Sequence, residues 1–275
     1  MSKMLVVVPP APPPPPLGSL LRNPSQTFGR DEAVRTITNN GFVECSWAWE
    51  HPELQRGCYF NRVCENDAPK QCQYYDIPGL LQVGPTCGPT ALTILLNATQ
   101  RTTTPSELCA EAKALGYTLN GEIFSAQYLF ELTRKHLLLG PGECQLYKGR
   151  LCCDKVKELL RAGGCLLVPY DADVNHAPCL KTGHRAHWAL VLGYLIDSRD
   201  KFFVIARHGK SSNLAVWSLD VLSESNGNLQ EFAQPKGYPC STLFVQPPGG
   251  IGGVLGLRER AILVNGLPLP IVHVC

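Results

Sequence analysis

A chain of 275 residues that is 44% apolar and 17% charged has enough apolar surface for a full core and too little charge to stay disordered. Its formal net charge of +2 gives no general attraction to nucleic acid or to an anionic membrane. No stretch approaches the roughly eighteen consecutive apolar residues of a membrane span.

The apolar run Met4 to Val8 opens like a signal peptide but is too short for one and runs into prolines, so a cytoplasmic location is expected. There the thirteen cysteines are expected to be reduced thiols. Their odd count and the lack of any C-x-x-C argue against a disulfide framework, a zinc ribbon or a redox dithiol. Pro9, Pro10 and Pro12 to Pro16 make residues 1–18 a proline-rich, extended, disordered tail. Residues 19–75 carry Cys45, Cys58, Cys64 and Cys72 at irregular intervals and read as an N-terminal extension with no assignable structure.

Residues 76–275 are expected to form the folded domain. Ala91, Leu92, Leu95 and Leu96 fall at helical spacing over 88–98, with Pro89 in the first turn. "TPSELCAEAKALG" predicts a second helix, with Thr104 as N-cap, Glu107 completing a capping box and Gly116 as the stop. Residues 125–138 and 152–162 read as two more, giving a helical part over 87–162. The period then shortens: 165–170, 187–196, 201–209, 214–219 and 241–247 are short apolar runs between turn residues. An antiparallel sheet over 165–265 is expected, with 197–200 as a hairpin loop. The fold class is α+β with helices first.

Among the cysteines, Cys87 alone sits between Gly84-Pro85 and Gly88-Pro89 at a helix start. Free N–H groups and the helix dipole favour a thiolate there, so a lowered pKa is expected. Gln82, five residues upstream, offers a side-chain amide as an oxyanion donor. A nucleophile needs a base, and "DADVNHAPCLKTGHRAHWALVLGYL" holds His176, His184 and His187. His187 stands where loop becomes strand, and its ring is expected to face the helical half. Read without a nucleophile, His176, Cys179, His184 and His187 are four zinc-type ligands within twelve residues, but their spacing matches no familiar site.

The segments "LLQVGPTCG", "GYTLNGEIFS", "CLLVPYDADVNHAPCLKTGHRAHWALVLGYL", "ARHGKSSNLAVWSLDVLSESNGNLQEF" and "GGIGGVLGL" resemble, in this order, the actin maturation protease family over residues 75–265. The resemblance implies a papain-like cysteine peptidase fold, a helical lobe with the cysteine before a β lobe with the histidine. It implies removal of an acetylated methionine or cysteine from the actin N-terminus, with Cys87 as nucleophile, His187 as base and Gln82 in the oxyanion hole. No cofactor or metal is implied. Papain-like enzymes orient the histidine with an Asn or Asp on the following strand, where this chain reads Ala206-Arg207-His208-Gly209. His208, Asp173 and Asn175 remain the candidates. The family's proline-rich N-terminus implies profilin as a partner of residues 9–16. Lys181, Arg185, Arg207 and Lys210 flank His187 and would attract an acidic substrate segment. A non-catalytic profilin- and actin-binding adaptor, and a hydrolase for another N-terminus or an isopeptide, are the alternative readings.

Overall fold

The computed structural model describes residues 43–99, 102–137, 143–235 and 237–275; the tail at 1–18 and the first part of the extension, 19–42, lie outside them. Described residues before 76 form a short 3-10 turn at Ser46–Ala48, helix α1 (Pro52–Phe60) and strand β1 (Gln71–Tyr74). Next come α2 (Cys87–Asn97), α3 (Pro105–Ala114) and α4 (Ala126–His136). Strand β2 (Cys144–Lys148) and α5 (Asp154–Arg161) lead to β3 (Cys165–Asp171), β4 (Ala186–Ile196), β5 (Phe202–Arg207) and β6 (Ala215–Ser218). Helix α6 (Leu219–Gly227), β7 (Arg260–Val264) and β8 (Val272–His273) complete the described elements.

The expected α+β class with an antiparallel sheet is what the chain builds, since every strand pair is antiparallel. The expected segregation of helices before strands is looser, because β1 and β2 lie among the helices and α6 among the strands. The run at 241–247 forms no strand. Phe244 packs instead against Phe232 and Tyr238, at ring-centroid distances of 5.7 and 5.5 Å, so side-chain burial rather than a ladder uses that apolar stretch.

Strand β4 is the spine of the sheet. Its first half pairs with β3 and its second half with β1, while β5 pairs from Leu190 to Ile196. Because β5 overlaps both partners in register, β3 and β1 share one edge of β4 and β5 takes the other. All of β4 beyond Ala186 is buried. It therefore reads as an unbroken apolar run, with a core on each face. On one face Trp188, Leu190 and Leu192 pack with α2; on the other Ala189 and Val191 pack with Tyr170, Trp217 and residues of α5 and α6. Helix α2, buried from Gly88 to Leu96, is the centre of the first layer. Its close approach to β4 depends on Gly88, where a Cβ would lie 3.3 Å from Trp188 Cδ1.

Candidate active site

The N-terminus of α2 and the N-terminal end of β4 meet at one cavity of about 860 Å³, lined by Gln82, Cys87, His176, His187 and Lys210 among others. Thr86 is the N-cap residue, and its hydroxyl donates to Val83 O (2.9 Å), which fixes the loop before Cys87. Strand alternation decides where His187 points. Trp188 turns toward α2 and donates from Nε1 to Ile123 O at 2.9 Å. His187, one residue earlier, turns the other way onto the edge of Tyr170, with centroids 5.7 Å apart at 83°. The ring therefore does not face the helical half as expected; the Cys87 thiol lies beside the backbone N–H of Trp188, the next residue of the strand.

His187 belongs to a triangle of histidines. Its ring centroid lies 5.7 Å from His176 and 6.1 Å from His208, and those two are 5.9 Å apart. His208 follows β5 directly and stacks on Trp217 at 5.6 Å and 29°. His187 Nε2 and His208 Nδ1 are both buried without a hydrogen-bond partner. Of the other two orienting candidates, Asp173 accepts from Asn175 N (2.7 Å) and Ala177 N (2.9 Å) through Oδ1, a turn within its own loop. Asn175 is exposed. Of the three, His208 alone has its ring beside His187.

Burial pushes the Cys87 thiol above its ordinary value, opposed by the Trp188, Gly88 and Cys87 backbone N–H groups and by Lys210. This corrects the lowered value expected from the helix start: the N–H groups are present, but desolvation of a thiolate outweighs them. Burial likewise holds His187 well below the usual histidine range, with His208, His176, Lys210 and Arg185 acting in the same direction. Both shifts favour the uncharged form, the thiol at Cys87 and the neutral imidazole at His187.

Gln82 is brought to the same cavity. Its backbone N–H donates to Gly209 O (2.7 Å) and its Nε2 to Gly84 O (2.6 Å). An amide nitrogen carries two protons, so one remains for a ligand. Arg207, expected to be a surface cation, is 1% exposed and donates to Ile77 O (3.0 Å), Ser212 O and the Glu53 carboxylate. Lys181, Arg185 and Lys210 do line the cavity. His184, proposed with His176, Cys179 and His187 as a ligand set, lies 3.5 Å from Glu231 instead. Among the described residues no three His, Cys, Asp or Glu side chains are placed to hold a metal ion.

Sequence reasoning missed Asp171. This buried carboxylate, at the end of β3, accepts from Lys181 N, from Gly183 N (3.1 Å) and from Asn228 Nδ2 (3.3 Å), so it folds the loop that delivers His187. The signal available was a carboxylate ending the apolar run "CLLVPYD", where only a satisfied charge is tolerated.

A family model described as actin maturation protease-like, C-terminal domain, matches residues 77–195. The actin maturation protease of Drosophila melanogaster is 65% identical over 231 residues, covering 84% of this chain and 85% of the relative. That of Danio rerio is 31% identical over 228 residues, covering 69% and 72%. A solved structure titled as a putative C39-like peptidase from Bacillus anthracis aligns over 71% of this chain and 97% of its own, at 14% identity and a TM-score of 0.44. With Cys87, His187 and Gln82 at one cavity and relatives of this extent, the chain belongs to the actin maturation protease family.

Proposed function

We propose that the protein is a cysteine-type aminopeptidase that removes an acetylated N-terminal residue, methionine or cysteine, from actin. The convergence of Cys87, His187 and the Gln82 amide on one cavity is the observation that carries this reading. His187 takes the Cys87 proton as sulfur attacks the scissile carbonyl. The spare Gln82 proton and the Cys87 backbone N–H stabilise the oxyanion. His187 then protonates the leaving amine and activates the water that releases the acetylated residue. His208 orients the His187 ring, and the polyproline tract at residues 9–16, outside the described residues, docks profilin.

The test is the intact mass of N-acetylated actin after incubation with the protein. Wild type is expected to remove one acetylated residue; a folded enzyme that leaves actin unchanged overturns the reading. Cys87→Ala and His187→Ala abolish processing, whereas Cys152→Ala, at an exposed thiol, leaves it intact. Gln82→Ala retains weak activity, about a hundred- to a thousandfold below wild type.

A further inference from the structure

The loop from β3 to β4 holds a histidine that the proposed reaction does not use. His176 has φ 63°, in the left-handed region that residues other than glycine enter at a cost, and such strain persists only where the surroundings enforce it. Several contacts enforce it here. Asp173 N donates to Ala177 O (2.9 Å), and the Asp173 carboxylate accepts from Asn175 N and Ala177 N, which closes the turn from inside. Ala172 bridges to Pro178 at its neck. The Tyr170 hydroxyl donates to His176 O at 2.8 Å. The ring of the same buried Tyr170 meets His187 edge-on, so one side chain of β3 holds both histidines.

The three rings of the histidine triangle differ in exposure. His187 and His208 are each 6% exposed, whereas His176 is half-buried and lines the cavity. Its ring tilts by 34° against His187 and by 37° against His208, at the similar centroid distances already given, and is the most open of the three. The groups that face His187 are Tyr170 from β3, His208 and Lys210 from the turn after β5, and His176 and Arg185 from the loop before β4; Cys87 lies beside the next residue, Trp188. His208, His176, Lys210 and Arg185 all oppose a positive charge on His187, and burial opposes it more strongly than any of them. What keeps water off this ring therefore matters more than the charges around it.

We propose that His176 is a positioning residue: its ring, locked by the turn at 173–177, covers His187 and keeps the water of the cavity off the base. It acts by filling space, so a ring that cannot titrate serves in its place. This rests on His187 being the base of the reaction proposed above.

His176→Gly removes the cover and keeps the left-handed turn without backbone cost. His176→Phe restores a ring that carries no nitrogen. Exchange of the His187 ring C2 proton for deuterium, read by mass spectrometry, reports water at that ring with no substrate present. It is expected to be faster in His176→Gly than in wild type and to return toward wild type in His176→Phe. His176→Asn, which tolerates the same backbone but fills less space, should fall between wild type and His176→Gly, and this ordering decides the matter if the Phe variant does not fold. With acetylated actin as substrate, the acid limb of kcat/KM should move up by about 0.5 to 1 pH unit in His176→Gly, because a hydrated ring keeps its proton to higher pH. Below both limbs kcat/KM then falls by about three- to tenfold, carried by kcat rather than KM. His176→Phe should bring the limb back. Exchange and limb at wild-type positions in His176→Gly overturn the proposal, and so does a folded His176→Phe that behaves like His176→Gly, since the imidazole itself would then be what is needed. Faster exchange in His176→Gly, in a protein of which no form cleaves acetylated actin, would sink the aminopeptidase reading and leave the cover standing.

Discussion

Two buried nitrogens without partners, His187 Nε2 and His208 Nδ1, sit on rings 6.1 Å apart. A hydrogen bond between these nitrogens is the link by which His208 would hold the His187 ring. His208→Ala should therefore lower kcat by about 10–100-fold with little change in KM, with partial rescue by His208→Asn. Asp173→Asn should stay near wild type, because the Asp173 carboxylate is already engaged in its own loop; equal rates for the His208 and Asp173 variants would exclude His208. Since the base must be neutral and burial holds His187 low, the acid limb of kcat/KM should lie below about 6.5. The placing of Cys87, His187 and Gln82 at one cavity was legible in the sequence because a helix-start cysteine, a strand-start histidine and a nearby amide are local patterns. The engagement of Asp173 was not: it looks like a free carboxylate until the fold shows two N–H groups on it.

At the scale of elements, the helices at 87–97 and 105–114 could be read almost to the residue, the second because its capping box is written out in Thr104 and Glu107 and is present in the structure. Elements whose polar residues serve the interior were invisible. In β1, Gln73 is buried because Nε2 donates to Leu160 O and Arg161 O at the end of α5. In α6, Ser223, Ser225 and Asn226 are buried because they bond to the backbone of residues 151–152, 171, 169 and 260. Such segments have the composition of surface loops, and only their tertiary partners make them elements. Strand β4 carries an irregularity between Val191 and Gly193, where β1 comes so close that a Cβ on Gly193 would lie 2.4 Å from Gln73 O. Gly193→Ala should destabilise the protein by about 1–3 kcal/mol, measured as a lower urea midpoint; an unchanged midpoint would mean that β1 can move away freely.

For the whole molecule, burying two neutral histidines has a sign. His187 and His208 titrate below their unfolded value, His208 at about 4. Below about pH 6.5 the unfolded chain binds protons that the folded chain refuses, so each histidine removes about 1.4 kcal/mol of stability per pH unit until its folded value is reached. Thermal midpoints should fall between pH 6.5 and 4, and His208→Gln should flatten that fall; identical slopes would show that His208 is protonated in the native state. The long reach of the contacts matters as much. Helix α1 is tied to β5 by Glu53 and Arg207, and β1 is held between β4 and β8. The division at residue 75 expected from composition is therefore not a seam, since β1, directly before it, is woven into the sheet. The order of synthesis follows from the same pairing. At roughly 5–20 residues per second, His187 leaves the ribosome about 5–20 s after Cys87. During that interval Cys87 lacks both His187 and the strand whose backbone N–H meets its thiol, so the growing chain carries an uncovered cysteine until β4 arrives.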